Sequence, residues 1–134
     1  MSPRFDRATV AHLPPPAGRG NLGGQGRLQC RVAIDIVSAF LGVPAADILS
    51  ERRAQAPIAR ARHVAMYLAH VSFQLSLNAV ANGFGRDRSS VSYGVARVED
   101  GRDDRAFDAM LGRMEALALS CRRLMIPGAA DEDF

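Results

Sequence analysis

Arg86-Asp87-Arg88-Ser89-Ser90, followed closely by Ser92 and Tyr93, gathers guanidinium groups, one carboxylate and several hydroxyls within about two helical turns. Arginine presents a planar fork of donors that fits phosphate oxygens and the acceptor edge of guanine, and hydroxyls serve either partner. At the N-terminal end of a helix, such groups suit insertion into a major groove. Other constellations carry less chemistry. His63 and His70 stand seven apart, without the i,i+4 spacing or acidic partner of a helical zinc site, so surface or phosphate-contacting roles suit them better. Asp103, Asp104 and Asp108 resemble an acid/base or metal cluster, but carboxylates at a helix N-terminus complement the macrodipole and explain them more simply. Gly18-Arg19-Gly20-Asn21-Leu22-Gly23 matches a dinucleotide-binding pattern. That motif needs a strand feeding its first glycine, and Pro14-Pro15-Pro16 stands there instead. No Gly-Lys-Ser/Thr follows. No catalytic, cofactor or metal site is expected, and no nucleotide.

The elements that must position the arginine and hydroxyl groups are legible on both sides of them. Leu77, Val80, Ala81 and Phe84 give a short helix an apolar face, with Ser76 as its N-cap. Gly83 and Gly85 supply backbone freedom for a sharp reversal. Asp87 then caps a helix from Arg88 towards Arg102, with Val91, Val95 and Val98 inward. The spacing fits a helix-turn-helix. Upstream, Leu28–Leu41 reads as a helix with Leu28, Val32, Ile36, Ala39 and Phe40 on one face and Arg31 paired to Asp35 on another. Gly42 ends it, and Pro44 opens a short helix through Ala46-Asp47-Ile48-Leu49. A basic loop with Arg52 and Arg53 runs to Pro57. The longest helix spans Ile58 to about Phe73, turning Ala61, Val64, Ala65, Leu68 and Val71 inward and Arg60, Arg62, His63, Met66, Tyr67 and His70 to other sides. Asp104 caps a last helix to about Leu124, with Phe107, Leu111, Met114, Leu117, Ala118 and Cys121 as its stripe.

The chain has 134 residues and a formal charge of +3. One domain is the prior at that length, and roughly 95 to 100 residues remain for a core once the polar ends are removed. All 17 basic residues are arginine. Asp131-Glu132-Asp133 concentrate acid at the C-terminal end, so the body is more basic than the total. Residues 1–26, rich in proline and glycine, read as a disordered tail, residues 27–124 as the folded domain, and residues 125–134 as an acidic flexible tail. Cys30 and Cys121 lie far apart, with no signal peptide or long apolar run, so a reducing, cytoplasmic, nucleoid-associated setting is expected and a disulfide is not. No membrane partner is expected.

Ile48-Leu49-Ser50-Glu51-Arg52-Arg53, then Ile58-Ala59-Arg60-Ala61-Arg62-His63-Val64-Ala65-Met66-Tyr67-Leu68-Ala69, then Phe84-Gly85-Arg86-Asp87-Arg88-Ser89-Ser90-Val91 resemble the C-terminal DNA-binding domain of DnaA-type chromosomal replication initiators. The similarity is collinear over about residues 28–122. It implies an all-α, Trp-repressor-like bundle containing a helix-turn-helix, which binds double-stranded DNA as a monomer on an asymmetric site. It also implies that Arg53 or Arg52 of the basic loop enters the minor groove, that Arg62 reads a guanine in the major groove, and that Asp87 helps read bases. The expected DNA-contacting residues are thus Arg52, Arg53, Arg60, Arg62, His63, His70, Ser76, Arg86, Asp87, Arg88, Ser89, Ser90 and Tyr93.

The chain departs from the family pattern at telling places. Arg88-Ser89-Ser90 replace His-Thr-Thr, His63 stands for glutamine, and His70 for a lysine. Losing threonine methyls weakens contact with thymine, and Arg88 favours guanine or phosphate, so the binding mode carries over better than the recognised sequence. The ATPase domain of the initiators is expected to be absent. The leading expectation is a sequence-specific regulator of transcription or replication initiation, whose five to seven phosphate-contacting arginines would give log K against log salt a slope of roughly −4 to −6. A protein-interaction module that kept the fold but lost DNA binding is the alternative. An enzyme would need a pocket of convergent polar groups that these residues do not assemble. The tails could also recruit protein partners.

Overall fold

Residues 19–50 and 55–125 are described by the computed structural model, with side chains from residue 26 onward. Along the chain come α1 (Arg19–Leu41), α2 (Ala45–Leu49), α3 (Ala56–Tyr67), a π-helical turn (Leu68–Ser72), α4 (Leu77–Phe84), α5 (Arg88–Gly101) and α6 (Arg105–Met125). No strand occurs among the described residues, and the expected all-α bundle is the fold. Residues 51–54, which include Arg52 and Arg53, lie outside the described residues, as do residues 1–18 and 126–134.

Local chemistry sets the boundaries. Gly42 takes φ +69° and ends α1. Pro44 precedes α2 with φ −58°, and its carbonyl accepts from the Asp47 and Ile48 N–H groups. Pro57 falls in the first turn of α3, where its missing N–H costs nothing, so the helix opens at Ala56, two residues before the expected start at Ile58. Asp104 Oδ1 accepts from the backbone N–H groups of Ala106 and Phe107, so it is a cap and no metal ligand is needed to explain it. Asp108 instead pairs with Arg102, whose guanidinium also reaches Tyr67 Oη and both carboxylate oxygens of Glu115. That junction ties the end of α5 to α3 and α6.

The structure differs from expectation at several faces. The first helix begins at Arg19, so residues 19–26 of the expected N-terminal tail are helical. Each interior glycine costs a helix about 1 kcal/mol, but extending a docked helix avoids the nucleation cost. The buried side of α1 is Cys30, Ala33, Ile34, Ile36 and Val37, with Val32 and Phe40 partly buried against the core, while Leu28 is exposed. Both candidate stripes have helical spacing, and neighbouring helices select between them. Met66 and Tyr67 are buried rather than outward, because α3 is flanked by α1, α2 and α5 and has little free perimeter. Val71 is exposed because the π-helical turn rotates the residues beyond Tyr67 away from the α-helical register. Leu117 is exposed as well. Cys30 is buried, Cys121 is half-buried, and both are free thiols. Burial pushes the Cys30 thiol up to about 11.

Candidate nucleic-acid interface

The helix-turn-helix is α4 and α5 with a short reversal between them. Ser76 Oγ accepts from Ala79 N at 3.0 Å and fixes the start of α4. At its end Gly85 adopts φ +65°, and Arg86 N donates to Ala81 O at 2.9 Å. That left-handed cap favours glycine. Gly83 serves a different purpose from the one expected. It lies inside α4 against Cys30 Sγ of α1, with no room for a Cβ.

Asp87 has φ −81° and ψ 162°, and its Oδ1 accepts from Ser90 N at 3.1 Å, capping α5. Ser89 Oγ donates to Oδ2 at 3.3 Å. These bonds, led by those from Ser90, hold the Asp87 carboxyl below the usual carboxylate range. Val91, Gly94, Val95 and Val98 face inward, leaving Arg88, Ser89, Ser90, Ser92, Tyr93 and Arg97 exposed. Tyr93 is 61% exposed and meets the His63 ring edge to face at 5.8 Å between centroids. Burial, then the guanidinium groups of Arg62, Arg97 and Arg86, hold His63 below the ordinary imidazole range.

The two arginines nearest this cluster are turned inward. Arg62 is 6% exposed. Its Nε donates to Ile48 O at 2.8 Å, and its Nη2 to Asp47 O at 3.1 Å and Ser50 O at 2.9 Å. Arg86 Nη2 donates to the same Ser50 carbonyl at 2.6 Å. Two cations thus collect the unsatisfied carbonyls at the end of α2, which are partial negative charges. In the free protein Arg62 therefore anchors α2. Reading guanine needs a two-pronged donor edge, and the Nε/Nη2 edge is already committed to α2.

The remaining candidates are spread out. Arg62, His63, Arg86, Ser89, Ser90 and Tyr93 line one cavity of about 290 Å³. Arg60 lies elsewhere, with its guanidinium 4.2 Å above the Phe107 ring, in a 650 Å³ groove shared with His63, Tyr93 and Arg97. His70 sits 2.7 Å by its Nδ1 from the Leu75 carbonyl; since a carbonyl only accepts, Nδ1–H donates and the ring pins the loop before α4. Ser76 is spent on its cap. Arg97 was missed from sequence, although it stands one turn beyond Tyr93 on the same exposed face. Gly94 was missed too, and a glycine in mid-helix was the available signal.

Among the described residues no cluster of His, Cys, Asp and Glu could hold a metal, and no helix is long and apolar enough to cross a membrane. The arrangement can bind an anionic surface through α5, from a rigidly capped first turn.

Comparison with known proteins points the same way. The family described as "Bacterial dnaA protein helix-turn-helix" matches residues 31–98. The chromosomal replication initiator protein DnaA of Anaplasma marginale (strain St. Maries) is 41% identical over 71 residues, which are 52% of this chain and 15% of that protein. A solved structure described as a DNA replication initiation factor superposes with a TM-score of 0.69 at 27% identity, covering 77% of this chain and 32% of that one. The similarity therefore concerns a small part of each longer relative.

Proposed function

This chain belongs to the bacterial DnaA helix-turn-helix family, and we propose that it binds specific duplex sequences through α5 and so regulates transcription or the initiation of replication. The observation that carries the reading is the exposed first turn of α5. Arg88, Ser89 and Ser90 stand outward there, on a turn fixed by Gly85 and Asp87, with Tyr93 one turn later. In a major groove the Arg88 fork meets guanine or phosphate, while Ser89, Ser90 and the backbone N–H groups at the helix start hold phosphates and set register. Arg97 and Arg60 extend the basic surface along the flank of α5 and α3. Arg52 or Arg53 enters the adjacent minor groove. Binding is as a monomer, with no reaction catalysed and no nucleotide required.

Because Arg62 and Arg86 are committed to α2, fewer arginines are free for phosphate than the sequence suggests. About three to five contacts give log K against log salt a slope of roughly −3 to −4.5. Selection of bound sites from random duplexes, followed by salt titration of the winner, tests the reading. An enriched motif that loses about 1–3 kcal/mol on Arg88→Ala at one base position supports it. If no duplex binds at about 100 mM salt, a protein-interaction role takes its place.

A further inference from the structure

The geometry points to the acidic segment Asp131-Glu132-Asp133 of this chain as an occupant of the cleft between α4 and α5, where it competes with DNA. The inference rests on the reading of that surface as the DNA face.

The cleft, about 580 Å³, is lined by Leu77, Arg88, Ser89, Ser92 and Tyr93. Arg88 makes no ion pair with any described residue, and no carboxylate lines the cleft. Its chemistry asks for an anion, and the chain carries one at Asp131-Glu132-Asp133. The last turns of α6 are tied to the loop that leads into this cleft, because Arg122 Nη2 donates to Gln74 Oε1 at 3.0 Å. Gln74 holds a left-handed φ of 60°, and Leu77, a wall of the cleft, follows three positions later. Helix α6 ends at Met125. From there to Asp133 an extended chain spans about 26 Å, the length available to carry the acids along the Gln74 loop towards the α5 start.

A segment tethered by so short a connection acts at an effective concentration on the order of millimolar. Docking that is weak on its own therefore occupies the cleft for much of the time. DNA must displace it, which lowers affinity for every duplex by the same factor. Displacement also has a salt signature. With Arg88 already neutralised by the tail, fewer counterions are released when DNA arrives, so the salt slope is shallower with the tail than without it.

The test compares the full chain with its Asp131→Asn/Glu132→Gln/Asp133→Asn variant. Amide NMR spectra without DNA report docking directly, and DNA titration between about 50 and 200 mM salt reports competition. Docking predicts displaced amide signals at Leu77, Arg88, Ser89 and Ser92 in the variant, independent of protein concentration. It also predicts about threefold or more tighter DNA binding at the low-salt end, with a slope steeper by about 1. Unmoved amides overturn the proposal even if affinity changes, since that is diffuse charge without a docked tail. Shifts that grow with protein concentration overturn it as well, placing the tail on a second copy. Displaced amides in a protein that binds no duplex uphold docking and sink the DNA-binding reading instead.

Discussion

Gly94 of α5 rests directly on His63 of α3. A Cβ at position 94 would stand 2.8 Å from His63 Cδ2 and 3.3 Å from Met66 Sδ. This close approach seats the exposed helix on the core and sets how far Arg88 and Ser89 project. Gly94→Ala gains about 1 kcal/mol of helix propensity and loses about 1–3 kcal/mol to overpacking. The expected net effect is a loss of about 1 kcal/mol in denaturant unfolding. His63→Ala should relieve it, so the double variant loses less than the two single ones summed. A Gly94→Ala protein more stable than its parent would show that the two helices are not in such close contact.

Much of this arrangement is legible in the residues, and the reason is local. The caps at Ser76, Asp87 and Asp104 and the left-handed turn at Gly85 are short-range chemistry, and each one lies where the sequence predicts. The inward face of α1 was legible only in part: Ile36 is buried as its spacing predicts, but Cys30, Ala33, Ile34 and Val37 complete the buried side, and between apolar stripes of helical spacing only neighbours decide. Arg62 shows the same limit in the candidate site. An arginine on a helix looks solvent-facing until the carbonyls of Asp47, Ile48 and Ser50, more than ten positions away, arrive beside it. Gly83 and Gly94 likewise owe their identities to partners on other helices, Cys30 and His63.

Arg62→Ala is expected to act as an anchoring defect. Three hydrogen bonds from a buried guanidinium to α2 are lost, and the carbonyls they served are left without those donors. A stability loss of about 2–4 kcal/mol follows. DNA affinity should fall evenly across sequences, because the basic loop that starts after Ser50 loses one of its two anchors while the other, Arg86, remains. Unchanged stability with relaxed preference at a single base pair would restore the guanine-reading role.

His63 makes the fold sensitive to mild acid. Its folded pKa is lowered, chiefly by burial and then by Arg62, Arg97 and Arg86. Below an unfolded value of about 6.5, the unfolded chain takes up a proton that the folded chain refuses. Stability from this group is therefore full above that pH, falls as pH drops through it, and levels off below the folded pKa. His63→Gln removes this component. Unfolding free energies measured from pH 7.5 to 5 should decline less steeply in the variant, and equal slopes would show that His63 titrates as it does in water.

Ser89 offers the narrowest test of the proposed interface. Its hydroxyl donates to Asp87 in the free protein at 3.3 Å, a long bond that a phosphate oxygen can readily replace. The N-cap bond from Ser90 N to Asp87 does not involve the Ser89 side chain. Ser89→Ala should therefore leave thermal unfolding nearly unchanged while weakening DNA binding by about 1 kcal/mol. The loss should be similar for every duplex, because a phosphate contact carries no base information. Sequence-dependent loss would make Ser89 a base contact, and undiminished binding together with an unchanged melt would move the recognition surface away from the first turn of α5.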